Sequence, residues 1–192
     1  MSVIDPERVR LRARLLAELN EAPEVRRAIE RMTQALRQGG KVLVFGNGGS
    51  ATQSSHFAAE LVNKFYFRRP ALPALALAAD MANVTSIAND EEYGAVFSRQ
   101  VQALGRPGDV ALGLTTSGRS ANVLAGLAAA RRAGLATIAL VGDSPQPLRD
   151  IPVDVVIAVG CADTPAVQEM HLFVLHVMAE RIEKDLFGGE HD

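Results

Sequence analysis

The sequence predicts an α/β fold, a five-stranded parallel sheet flanked by helices and entered through an N-terminal helical hairpin. Two observations carry this. Strand-length apolar runs alternate with helix-length segments along the chain. Two polar turns, residues 47–50 and 115–120, each follow such a run and open a helix. That recurrence puts both turns at the carboxyl ends of parallel strands, where sheets of this kind bind ligands.

The elements follow in order. Residues 5–38 are helical in pattern: Asp5 can cap, Pro6 suits a first turn, and Val9, Leu11, Leu15, Leu16 and Leu19 supply an apolar side. A break at residues 20–23 leads to a second helix with Val25, Ile29, Met32 and Leu36 on one face, ended by Gly39 and Gly40. This hairpin has no obvious sheet face to cover, so packing on another subunit is expected to bury it. Residues 42–45 read as the first strand, and Ser50 as the N-cap of a helix over residues 51–64. A second strand over 72–78 is followed by a short helix or loop over 80–89, a turn at Asn89 and Asp90, and a helix over 93–104. A turn at 105–109 leads to the third strand, 110–114, and an alanine-rich helix reaching Ala133. The fourth strand is 135–141, a Gly/Pro loop covers 142–147, the fifth strand is 153–159, and a long helix spans 165–186.

Composition narrows the function classes. At 192 residues and a formal net charge of −2, the chain suits one domain, with the hairpin (1–40) packed as part of the unit formed by residues 41–192. A hydrophobic share of 48% is enough for a sizeable core. No basic excess advertises nucleic-acid binding. Cys161 is the only cysteine, which excludes an internal disulfide framework and zinc-finger spacing. No apolar run approaches a membrane span, and the first residues lack an unbroken hydrophobic signal region, so a cytoplasmic protein without membrane contact is expected.

The chemistry-bearing residues cluster at the turns and on two helices. Asn47, Gly48, Gly49 and Ser50 let the backbone turn tightly against a helix N-terminus, whose first amides suit an anion. The stretch matches neither a P-loop nor GxGxxG, and on its own it also fits a generic glycine turn. Thr115, Thr116, Ser117 and Ser120 set hydroxyls at a second helix start, fit for a phosphate or for ordinary capping. His56 and Glu60 lie four apart on one helix face, and Gln168, Leu172 and His176 form one row on the last helix, with His171 off it. Four N/O donors suit zinc or another divalent ion, while structural histidines remain the alternative.

Together, GNGGSxxxxxHFAAEL, IANDxxY, RPGDVALGLTTSGRSANV and VQEMHLFVLH resemble the phosphoheptose isomerase family over residues 7–186. The resemblance implies the sugar isomerase (SIS) fold, isomerisation of sedoheptulose 7-phosphate to a heptose 7-phosphate, and a homotetramer whose neighbouring subunits complete each site. It implies zinc held by His56, Glu60, Gln168 and His176, with Glu60 as base and His176 as its acid/base partner. Asn47, Gly48, Gly49, Ser50, Asn89, Asp90, Thr115, Thr116, Ser117, Ser120 and Gln168 are the implied sugar-phosphate contacts. Two departures stand out: the usual STSGNS reads TTSGRS, which brings Arg119 to the rim, and Pro165 stands where some relatives carry Asp. Similar SIS proteins bind the replication initiator without a complete metal set, and others are sugar-phosphate sensors. All four metal-matching side chains are present here, and no DNA-binding domain is appended, which favours the enzyme.

Overall fold

The computed structural model describes residues 3, 5–143, 148 and 151–188. Its first helix, α1 (Pro6–Glu21), is capped by Asp5, whose carboxylate accepts from the Glu7 amide at 2.9 Å. Only Ala22 separates α1 from α2 (Pro23–Arg37), a tighter break than the one expected over 20–23. Proline is at home at a helix start, so Pro23 begins α2 and a single extended residue suffices.

Among the described residues, five strands pair in parallel in the order β2-β1-β3-β4-β5. They are β1 (Val42–Gly46), β2 (Ala74–Ala76), β3 (Val110–Thr115), β4 (Ala136–Val141) and β5 (Val155–Ala158). Alternate residues serve opposite faces. Val42, Val44, Leu112, Leu114, Ile138 and Leu140 join one core with α2, α3 (Gly49–Val62) and α7 (Thr164–Phe187). Leu43, Phe45, Ala111, Ala139 and Val141 join the other with α5 (Val96–Leu104) and α6 (Ala121–Arg132), and α4 (Met81–Asp90) lies at its edge.

Several expectations are corrected. α2 does have a surface to cover: Ala28, Ile29, Met32 and Leu36 are buried in the first core, beside α7 and β5. α1 buries Leu15 and Leu19 and leaves Val9 exposed. Strand β2 is shorter than 72–78, because Pro73 has no amide to give a ladder and a turn follows Ala76, where the Ala79 amide bonds the Ala76 carbonyl. Strand β5 is shorter than 153–159. At its start the Asp154 carboxylate takes the Thr137 amide (2.8 Å) and the Thr137 hydroxyl takes the Asp154 amide (3.0 Å), in place of ladder bonds. Asn89 and Asp90 end α4 and do not form a separate turn. Residues 144–147 of the expected Gly/Pro loop lie outside the described residues.

Helix α3 stops at Val62, short of residue 64, for a visible reason. Arg69 turns back and donates to the carbonyls of Glu60 (2.7 Å) and Leu61 (2.6 Å), two groups that a helix end leaves unmet. The same guanidinium pairs with Glu183 of α7 at 3.2 Å, and both side chains are only 1% exposed. Glu183 also accepts from the amides of Phe65 (2.9 Å), Tyr66 (2.7 Å) and Phe67 (3.4 Å). Burial pushes the Glu183 pKa up, but those amides and Arg69 outweigh it and hold the group below the usual carboxylate value. Removing one partner of a buried ion pair strands the other charge. Arg69→Ala should therefore destabilise the fold by about 3–5 kcal/mol in urea unfolding; a loss under about 1 kcal/mol, the size of a surface pair, would show that the clamp is not structural.

Candidate active site

The two polar turns lie side by side because β1 and β3 are neighbours, with Gly46 paired to Leu114. From this pair the chain winds outward in both directions, to β2 on one side and to β4 and β5 on the other. The winding direction thus reverses at the carboxyl ends of β1 and β3, the usual ligand position in such sheets.

The first turn is shaped by two glycines. Gly48 has a φ of 54°, in the left-handed region, and serves as the N-cap of α3. Ser50, expected at that cap, is instead buried within the first helical turn. Gly49 faces α7: a Cβ there would lie 2.5 Å from Gln168 Nε2. Gln168 is thus brought to the glycine turn, and its carbonyl accepts from Gln53 of α3 at 2.7 Å.

In the second turn the Thr115 and Ser120 hydroxyls lie 3.0 Å apart, and the Ser117 hydroxyl accepts from the Arg119 amide at 3.1 Å. Ser120 is the N-cap residue of α6, yet its hydroxyl makes no cap bond. The Thr116 carbonyl takes the Gly142 amide at 3.2 Å, which ties the turn to the end of β4. Of the four expected hydroxyls, those of Thr115 and Ser120 are thus brought together at the start of α6.

The turns are joined by a network in which Asn47 and Asn122 exchange amide hydrogen bonds, each 2.8 Å, and Tyr93 donates to Asn47 Oδ1 at 2.9 Å. Asn122 and Tyr93 are absent from the expected site residues. Tyr93 falls within the IANDxxY stretch and Asn122 within RPGDVALGLTTSGRSANV, but neither stretch by itself tells which polar side chains meet across the fold. Asn89 and Asp90 form an exposed pair at the end of α4, with the Asn89 amide donating to Asp90 at 2.7 Å.

On the facing helices, His56 Nε2 lies 2.8 Å from His176 Nε2, and 3.5 Å from Glu60 Oε1. The Phe65 ring, set by the Glu183 clamp, packs on His176 at 5.7 Å. Burial and the neighbouring His56 lower the His176 pKa, against the pull of Glu60. Two imidazole nitrogens converging beside a carboxylate form a donor set that zinc accepts. Among the described residues no group of three or more His, Cys, Asp or Glu side chains is arranged to hold a metal ion, so binding one here would need these side chains to shift and further donors from Gln168 or substrate.

His171 stands apart, as its place off the row predicts. It is fully buried and its Nε2 donates to the Val141 carbonyl at 3.3 Å, while Nδ1 finds no partner among the described residues. Burial lowers its pKa to about 4, with the Val141 bond opposing. Unfolded, the imidazole takes its proton near 6.5. Between those values the unfolded state binds more protons, so this contribution is complete above the upper value and is lost as pH falls toward the lower. Stability should drop by about 3 kcal/mol across that window. His171→Leu should flatten this slope in pH-dependent unfolding, leaving the losses at lower pH where Glu183 and Asp154, both with lowered pKa, take up protons. An unchanged slope would contradict the assignment.

Comparison with known proteins bears on what this site does. The SIS domain model matches residues 9–142. Phosphoheptose isomerase of Burkholderia pseudomallei (strain K96243) is 42% identical over 184 residues, 96% of this chain and 93% of that one. That of Roseiflexus sp. (strain RS-1) is 46% identical over 167 residues, 87% and 84% of the two chains. Among solved structures, phosphoheptose isomerase from Francisella tularensis superposes with a TM-score of 0.87 at 33% identity, covering 96% of this chain and 100% of that chain. The Neisseria gonorrhoeae enzyme gives 0.84 at 36%, covering 92% and 96%. No helix among the described residues is long and apolar enough to cross a membrane.

Proposed function

This chain belongs to the phosphoheptose isomerase family of SIS-domain enzymes, and we propose that it converts sedoheptulose 7-phosphate to D-glycero-D-manno-heptose 7-phosphate in the cytoplasm, for surface-glycan heptose. The chain is an isomerase, which sets aside the non-catalytic initiator-binding and sensing readings. The observation that carries the proposal is the pairing of a hydroxyl-lined helix start with a His56, Glu60 and His176 cluster on facing helices.

An aldose–ketose isomerisation moves a proton between adjacent carbons through an enediolate. The phosphate would sit on Thr115, Thr116, Ser117, Ser120 and the amides that open α6. Asn47, Gly48, Gly49, Ser50, Asn89 and Asp90 would line the sugar. Glu60 would act as the base that takes the carbon-bound proton, with His176 as its partner for the proton on oxygen. Burial and His56 lower the His176 pKa, which favours the neutral imidazole that accepts a proton. His56, Glu60, Gln168 and His176 would hold zinc, which when bound supplies Lewis-acid stabilisation of the developing charge. Arg119 adds a cation at the rim of the phosphate turn.

The deciding measurement is turnover of sedoheptulose 7-phosphate with and without zinc, beside metal content by elemental analysis. His176→Ala and Glu60→Gln should fold and lose about 100-fold or more in rate, the scale of acid–base catalysis, while His171→Ala keeps its metal. Ser120→Ala should raise KM by about tenfold or more, from loss of a hydrogen bond to a charged group. Full activity in metal-free protein would refute the zinc assignment. No turnover at all would refute the substrate.

A homotetramer belongs to the same proposal. Val9 on the outer face of α1 is 52% exposed, and α1 rests on its own subunit chiefly through Leu15 and Leu19. Light scattering should give four chains per particle at micromolar concentration, and a monomer there would overturn this part.

A further inference from the structure

Asn122 is 3% exposed, and among the described residues its side chain makes no hydrogen bond to the hydroxyls of its own turn. Its bonds go elsewhere. Asn122 Oδ1 accepts from the Val123 amide at 2.9 Å and from Asn47 Nδ2 at 2.8 Å. Asn122 Nδ2 donates to Asn47 Oδ1 at 2.8 Å, and the Tyr93 hydroxyl reaches the same oxygen at 2.9 Å.

A side-chain amide can turn end for end, and its polarity follows from its partners. Here one partner leaves no choice. The Val123 amide can only donate, so the atom beside it must be the Asn122 oxygen. The Asn122 NH₂ then faces Asn47 and requires the Asn47 oxygen. Tyr93, reaching that oxygen, must donate. A backbone N–H of α6 thus fixes the orientation of an amide in the glycine turn.

The accounting for Asn47 is then nearly closed. Its oxygen accepts two bonds, which fills both lone pairs. Its nitrogen gives one hydrogen to Asn122. Among the described residues, one Nδ2–H remains for a ligand. Asn47 can therefore meet substrate only as a donor. A donor suits an oxygen that gains negative charge, such as the carbonyl oxygen on its way to an enediolate, better than a sugar hydroxyl seeking an acceptor.

We propose that Asn122 is a positioning residue for the isomerase reaction: with Tyr93 it locks the Asn47 amide in its donor orientation and couples the phosphate turn to the sugar turn. This rests on the isomerase reading above. Asn122 touches no reacting atom itself and acts through Asn47.

The test is the isosteric change Asn122→Asp, which keeps the acceptor for Val123 and the packing but removes the donor to Asn47. Steady-state rates with sedoheptulose 7-phosphate are measured for it in the wild-type and Asn47→Ala backgrounds. We expect kcat/KM to fall about tenfold or more in the wild-type background and by far less in Asn47→Ala, since coupled partners are not additive. An equal loss in both backgrounds, or no loss in the wild type, overturns the proposal. Should Asn122→Asp fail to fold, Tyr93→Phe, at an exposed ring, carries the same cycle. The side-chain amide NMR signal of Asn47, identified by its absence in Asn47→Ala, gives a readout that needs no substrate. It should shift and exchange faster with solvent in Asn122→Asp and in Tyr93→Phe, and an unmoved signal in both also overturns the proposal. If the wild-type protein fails to turn over the sugar phosphate while that signal moves, the substrate assignment fails and the positioning role stands.

Discussion

The fold depends at one point on a buried charge, that of Glu183. A carboxylate with 1% of its surface exposed is tolerable only with partners on every side, and here they come from three backbone amides and Arg69. Those partners belong to the segment that leaves α3, while Glu183 belongs to α7. Satisfying the charge therefore fixes where the two helices lie relative to each other. Arg69 reinforces this by taking the last carbonyls of α3. Because His56 and Glu60 ride on α3 and His176 on α7, their approach follows from how a remote carboxylate is satisfied.

The other half of the site is set by the sheet. Parallel pairing of β1 with β3 aligns the two strand ends, so the glycine turn and the hydroxyl turn emerge next to each other. Nothing in the turns themselves needs to recognise the other except the amide pair of Asn47 and Asn122. Among the described residues, that pair is the side-chain brace between the two turns.

Much of this was legible in the sequence, and the reasons are local. Apolar runs and glycine stops locate all five strands, because buried parallel strands need continuous apolar residues. The helix faces of His56 with Glu60 and of Gln168 with His176 follow from helical geometry alone. What escaped depends on partners distant in sequence. Arg69 and Glu183 lie 114 residues apart, and each looks like an ordinary surface charge until the fold joins them. Asn122 reads as a polar start to α6 because its partner is Asn47, 75 residues away. The hairpin was expected to lack a surface because α2 comes before the first strand, yet the chain lays it beside α7, the last helix. The helix cap lies two residues before the expected Ser50 because Gly48 takes the left-handed conformation that ends the turn.

Gly49 has a further meaning. Its backbone is helical and absent from the left-handed glycines, so alanine could take its place without conformational strain. What a methyl group would strike is the far end of the Gln168 side chain, which can swing away. The fold would hardly register the change, but the Gln168 amide would leave its position over the turn. Natural selection at this glycine would then act on activity alone. A survey of viable sequences should find position 49 kept as glycine wherever residue 168 is glutamine, across the junction of the first turn and the last helix.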